Sequence, residues 1–280
     1  MYKKQLKMTE RTIELIRQFN PKPVDIPLNK CELEEVVETL YTSMFPVCEC
    51  DNSPNFRDEL MDAAEKLHRN IKGRTNTETA DQILESFMES LPDIRQRLYE
   101  DANCYVQSDP AAKSLEEVIL TYPGFFALSI HRIAHKLHEL GLPLIARHFS
   151  EYAHSKVGID IHPAAKIGKN LFMDHGTGIV IGETTEIGDN VKIYQGVTLG
   201  ALFVEKKLSD VKRHPTVENN VVIYANATIL GGKTIIGHDS TIGGGSWLTQ
   251  SVIPYSLVYN SVDVKIRTVK SFVEPHDFVI

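Results

Sequence analysis

An aliphatic side chain returns every six residues through most of residues 161–253, and no other feature limits the fold so tightly. One run reads Ile161, Ile167, Met173, Ile179, Val191 and Val197, with Thr185 its polar lapse. A second reads Val217, Ile223, Ile229, Ile235, Trp247 and Ile253, with Thr241 the lapse. Glycine recurs in the same hexads, among them Gly168, Gly182, Gly188, Gly200 and Gly237. Helices repeat at about 3.6 residues and strands at about 2, so a sustained period of six fits neither alone. It fits a parallel β-helix, in which each short strand sends one side chain inward per hexad and glycine permits the corner between strands. Such a solenoid acquires a core only by stacking coil on coil, and it leaves long flat faces for ligands.

The formal net charge is −7 and the lysines and arginines are scattered, which argues against a nucleic-acid partner. The basic start, Met1 to Lys7, is followed by no apolar stretch, so no signal peptide is expected. No window approaches the roughly 18 apolar residues of a membrane span. A cytoplasmic location is expected, with Cys31, Cys48, Cys50 and Cys104 as reduced thiols.

Residues 1–157 read as helix, with apolar residues three and four apart in 59–67 and 79–88. Thr77 or Asp81 is expected to cap the second of these. Gly141 suits a tight turn between helices over 125–140 and 143–155. Strand grammar begins at Gly158 and runs to 259. It is broken once, by the charged, glycine-free segment Ala201 to Arg213, after which the hexads resume in a new register. This reads as a loop extruded from one corner, where binding residues tend to sit. Residues 260–280 lose the repeat and read as a tail. The fold class expected is therefore α+β: a helical domain over 1–157, a β-helix over 158–259 and a C-terminal tail.

Three polar clusters interrupt the aliphatic pattern: Asp160-Ile161-His162-Pro163, Asp174-His175-Gly176-Thr177-Gly178, and Lys212-Arg213-His214-Pro215. At about 18 residues per coil, Asp160 and His175 fall on nearly the same edge of adjacent coils. A carboxylate beside an imidazole fixes its tautomer and raises its basicity, as a general base requires. An arginine at a loop exit suits a carboxylate, which its guanidinium grips as a fork. Each residue also has a plainer reading. Asp160 can satisfy corner N–H groups, His175 can be a packed corner residue, and Arg213 can be a solvated charge. Zinc held by His162, His175 and His214 is a further reading. It is weakened because the closely spaced histidine pair of the carbonic anhydrases on this fold is missing.

With these residues in order, the chain resembles serine O-acetyltransferases. The matching stretches are Asp160 to Gly168, Asp174 to Thr184, Gln195 to Gly200 and Arg213 to Pro215, with Ser108 to Ala112 and Gly124 to His135 upstream. The resemblance runs from about residue 108 to residue 253, and residues 1–107 share with the family only their helical character. It implies a left-handed parallel β-helix and transfer of acetyl from acetyl-CoA to the L-serine hydroxyl, in cysteine biosynthesis. On the family pattern His175 is the general base and Asp160 orients it. Asp109 and Asp174 hold the serine ammonium, and Arg213 with His214 holds its carboxylate. The acetyl-CoA cosubstrate lies near Ala201, Ala225, Gly243 and Gly244, and no metal is needed. The resemblance further implies a homotrimer with the site between neighbouring solenoids, or a dimer of such trimers. L-cysteine is expected to compete with serine, because it carries the same ammonium and carboxylate. Ile280 is expected to dock O-acetylserine sulfhydrylase. Two departures stand out: Ala201 and a charged loop replace the family's glycine-rich stretch, and a closing motif survives only as Val262 to Ile266. The competing readings are an acetyltransferase for an amino sugar or homoserine, and a non-catalytic scaffold.

Overall fold

The structure is a computed structural model that describes residues 9–15, 18, 28–45, 56–202 and 211–260. The chain divides into two compact units, Met1–Glu89 and Ser90–Ile280. The change from helix to strand comes after residue 157, but the helices of 90–157 belong to the same unit as the strands.

In the first unit, α1 (Lys30–Met44) packs on α2 (Phe56–Lys72) through Leu33, Val36, Val37 and Leu40 on one side and Ala63, Leu67 and Ile71 on the other. Buried Asn70 ties the two together. Its amide oxygen accepts the Asn29 N–H at 2.7 Å and its amide nitrogen donates to Glu32 at 3.1 Å. The third helix, α3 (Thr77–Ser108), starts in this unit and ends in the second, and it is capped by Asn76, whose side chain accepts the Thr79 N–H at 2.9 Å. The cap is thus neither Thr77 nor Asp81. Asp81 instead pairs with His68 at 2.7 Å.

In the second unit, α4 (Leu115–Thr121), α5 (Pro123–Glu139) and α6 (Pro143–Val157) lead into the strands. Gly141 closes α5 at φ 81°, as expected, and Gly158 closes α6 at φ 69°, a left-handed conformation that glycine adopts without strain. Three parallel sheets follow, built from β1 (Asp160–Ile161), β4 (Val180–Ile181), β7 (Thr198–Gly200), β10 (Thr228–Leu230) and β13 (Trp247–Leu248) in the first. The second holds β2 (Lys166–Ile167), β5 (Glu186–Ile187), β8 (Thr216–Val217) and β11 (Ile235–Ile236). The third holds β3 (Phe172–Asp174), β6 (Lys192–Tyr194), β9 (Val222–Ile223), β12 (Thr241–Ile242) and β14 (Leu257–Val258). This is the expected parallel solenoid.

The hexads hold piecewise. Asp160 pairs with Val180, Val180 with Thr198, Thr198 with Thr228 and Thr228 with Trp247, so successive coils take 20, 18, 30 and 19 residues. Two extra residues after Met173 shift the inward strand position from 179 to Ile181, followed by Ile187 and Ile193. Ile179, Thr185 and Val191 are also buried, but at the corners, where a threonine is no lapse. One extra residue after Leu230 then reverses a face, since side chains alternate along a strand. Ile236 and Ile242 point inward at 0% exposure, whereas Ile235, Trp247 and Ile253, expected inside, stand at 42%, 68% and 77%.

Among the described residues the first coil has no strand above it, and an open sheet edge needs partners for its polar groups. The helices supply them. Tyr105 Oη accepts the Met173 N–H at 3.0 Å, and Asp101 accepts the Asn170 N–H at 2.9 Å. Arg132 grips Asp101 with two nitrogens, at 2.5 and 3.0 Å, and donates to the Ile167 and Gly168 carbonyls. Among the described residues no helix is long and apolar enough to cross a membrane.

Candidate active site

The two extra residues of the first coil widen the turn from Asp174 to Gly178, between β3 and β4. His175 sits there at φ 57°, a left-handed conformation that costs a non-glycine residue energy, and 70% of its side chain is exposed. The Asp174 carboxylate holds the corner: one oxygen accepts the His175 N–H at 2.8 Å and the other lies 3.7 Å from the ring Nε2. Gly176 follows at φ 80°, and a Cβ there would run into Ile159.

Asp109, between α3 and α4, faces this corner. One of its oxygens accepts the Tyr122 hydroxyl at 2.6 Å and the other the Ala111 N–H at 2.8 Å. The Tyr122 bond first, then the Ala111 bond, hold this carboxyl below its usual range, and His175 adds to the lowering.

Asp160 does not pair with His175. Because the coil has 20 residues, Asp160 stands level with Val180, five residues past the imidazole. Its charged neighbours are Arg147, at 4.0 Å, and the Glu151–His154 pair. Nor do His162, His175 and His214 gather. Among the described residues, the group spaced to hold a cation is Glu151, His154 and Asp160, and Arg147 reaches into it through its ion pair with Glu151.

At the corner after β4, Arg213 pairs with Glu183. Thr184 organises the turn: its hydroxyl oxygen accepts the Arg213 and His214 N–H groups at 2.9 and 3.0 Å. The Thr184 N–H donates to His214 Nδ1 at 3.1 Å, and the hydroxyl lies 2.9 Å from the same nitrogen. That leaves Nε2 as the protonated, donating nitrogen of a neutral ring. The ring lies flat over Gly182, where any Cβ would collide with it. Burial first, then Arg213, pushes the His214 pKa down from 6.5 to about 4. The folded ring therefore stays neutral where the unfolded one takes up a proton, and its stabilisation, complete above about pH 6.5, is lost as pH falls towards 4. The unfolding midpoint is expected to drop between these pH values, less steeply in His214→Gln. An equal slope in the variant would exclude His214 as a source.

Of the residues expected near acetyl-CoA, Ala225, Gly243 and Gly244 share the corner below Asp174 and His175, where the Gly245 N–H donates to the Ala225 carbonyl at 2.9 Å. Ala201 lies at the other corner, beside residues 203–210, which fall outside the described residues. Between Asp174 and Gly243 on successive coils stand Tyr194 and Tyr224, their rings stacked at 5.1 Å. Tyr122, Tyr194, Tyr224, Glu183 and Thr184 carry no chemical signal in sequence that assigns them to the site, although Glu183 and Thr184 lie inside a family-like stretch.

Solved proteins with this fold decide the family. Entamoeba histolytica serine acetyltransferase 1, solved with L-cysteine, superposes with a TM-score of 0.75 at 35% identity, over 81% of this chain and 86% of that one. The chain belongs to the serine acetyltransferase family. The Neisseria gonorrhoeae family member solved with serine gives a TM-score of 0.60 at 30% identity, over 82% of each chain. A plasmid-borne serine acetyltransferase of Synechococcus elongatus is 50% identical over 178 residues, which span 62% of this chain and 56% of that enzyme's length. The family's N-terminal region, described as "Serine acetyltransferase, N-terminal", matches residues 41–130. Family character thus begins well before residue 108, where the sequence motifs first show it.

Proposed function

We propose that the protein transfers acetyl from acetyl-CoA to the hydroxyl of L-serine, releasing CoA and O-acetyl-L-serine. The observation that carries this reading is the exposed His175 imidazole flanked by the Asp109 and Asp174 carboxylates, in a family with members solved in complex with serine or with L-cysteine. His175 takes the hydroxyl proton as the serine oxygen attacks the thioester carbonyl. The tetrahedral intermediate collapses, the C–S bond breaks, and the departing CoA thiolate takes that proton from His175. A thioester is already activated, so one base and good positioning suffice. Asp109 and Asp174 bind the ammonium. On the family pattern Asp160 orients the imidazole, and to do so it has to leave Arg147, its charged neighbour at 4.0 Å in the free chain.

Arg213 and the His214 Nε2–H bind the serine carboxylate, which displaces Glu183 from Arg213. This corner and the His175 corner lie at opposite ends of β4, on the order of 15 Å apart along extended chain. A single serine cannot bridge that gap within one chain. The separation supports a homotrimer in which the His175 corner of one copy meets the Arg213 corner of the next, whether or not trimers pair further. Acetyl-CoA lies along the corner of Ala225, Gly243 and Gly244, whose near lack of side chains suits a long ligand lying close to the backbone, with Ala201 contributing from a neighbouring copy. L-cysteine competes with serine at the same groups. Docking of a sulfhydrylase by Ile280 stays a proposal on residues outside those described, and so does a cytoplasmic location.

Arg213→Lys is expected to raise the serine KM by about tenfold or more, since a point charge cannot replace a bidentate fork. The acetyl-CoA KM should change little, and equal damage to both would remove Arg213 from serine recognition. The overall reading is tested by CoA release from acetyl-CoA with serine, homoserine and glucosamine offered in turn. Serine is expected to be strongly preferred. A preference for either alternative changes the acceptor, and release with none of them leaves a scaffold.

A further inference from the structure

Tyr122 belongs to neither the motifs nor the mechanism above, yet it bonds directly to a proposed substrate-binding group, at 2.6 Å. It precedes Pro123 at the start of α5 with extended backbone, and its side chain makes no capping bond to that helix. The hydroxyl instead donates to Asp109 at 2.6 Å, within the range of bonds to an ionised carboxylate. Asp109 itself sits on the short connection between α3 and α4, where an unsupported carboxylate would sample several rotamers. With the Ala111 N–H on the other oxygen, both oxygens are tied, and each keeps a lone pair for a cation.

The tyrosine is itself fixed. Its ring meets Tyr105 edge-on, with centroids 6.0 Å apart and planes at 88°. Tyr105 is fully buried, and its hydroxyl accepts the N–H of Met173, the residue before Asp174. A continuous path therefore runs from the backbone beside one ammonium-binding carboxylate to the side chain of the other. We propose that Tyr122 is a positioning residue that sets Asp109 at a fixed place relative to Asp174, so that the two carboxylates share one ammonium group. The proposal rests on the reading of Asp109 as part of the serine site.

The test is kinetic and uses Tyr122→Phe, Asp109→Asn and the double variant, in the full-length protein. Tyr122→Phe keeps the ring and its packing on Tyr105, so an unchanged unfolding midpoint is expected. It should raise the serine KM about tenfold, the scale of a lost hydrogen bond to a charge, while kcat and the acetyl-CoA KM stay within about twofold. Asp109→Asn should raise the serine KM at least as much, and adding Tyr122→Phe to it should then change nothing further. If Asp109→Asn raises the serine KM and Tyr122→Phe does not, Asp109 keeps its role and Tyr122 has none. Additive effects, or an equal rise in the acetyl-CoA KM, make Tyr122 merely structural and overturn the proposal. If Asp109→Asn leaves the serine KM unchanged, the reading of Asp109 fails and the proposal goes with it.

Discussion

Replacing His175 with alanine is expected to lower kcat by roughly two to four orders of magnitude, the range for a lost general base. The fold should survive, because the side chain is 70% exposed and contributes nothing to the solenoid core. The backbone needs separate attention. His175 holds φ at 57°, which alanine tolerates poorly and asparagine well. His175→Asn is therefore the cleaner variant: it should keep the corner and lose the base. Steady-state rates at saturating serine and acetyl-CoA, with circular dichroism as the check on folding, measure both. A well-folded variant that turns over near the parent rate would remove His175 from the mechanism.

The largest expected effect on stability lies at Arg132. Asp101 is fully buried, and Arg132 is its bidentate partner as well as the donor to two carbonyls of the first coil. Arg132→Leu leaves a buried carboxylate without a countercharge and two edge carbonyls without a donor. Breaking a buried pair from one side costs about 3–5 kcal/mol, far more than the pair contributes when both members are removed. The unfolding midpoint should fall sharply, and the double change Asp101→Leu with Arg132→Met should recover part of the loss. Recovery should stop short of complete, because Asp101 also accepts the Asn170 N–H at 2.9 Å. A midpoint unchanged in Arg132→Leu would show that the helices do not cap the first coil through this pair.

The solenoid was legible because its core is a one-dimensional repeat: each coil requires an inward aliphatic residue at fixed spacing, and sequence records spacing. Insertions are recorded less clearly. The two residues added after Met173 and the one added after Leu230 move the inward set, and a strict count of six places Trp247 inside when it stands outside. The first of those insertions is the corner that carries His175, so the break in the repeat marked the site more faithfully than the repeat did. The same insertion undid the spacing argument for Asp160 beside His175, which assumed about 18 residues where the coil has 20. Pairs made across long separations left no pattern. Tyr122 with Asp109 spans 13 positions and Arg213 with Glu183 spans 30, and nothing in composition or period joins them. The matched region from residue 41 was missed for a related reason, since helices whose apolar spacing suits packing alone look alike from family to family.

The product of the reaction decides whether serine is the acetyl acceptor. The full-length protein, given acetyl-CoA and L-serine, should release one CoA for each serine acetylated, with the new acetyl group on the side-chain oxygen as read by NMR. CoA release without an acetylated serine would make the protein a thioesterase, and acetyl found first on the amino nitrogen would contradict an ammonium held by Asp109 and Asp174.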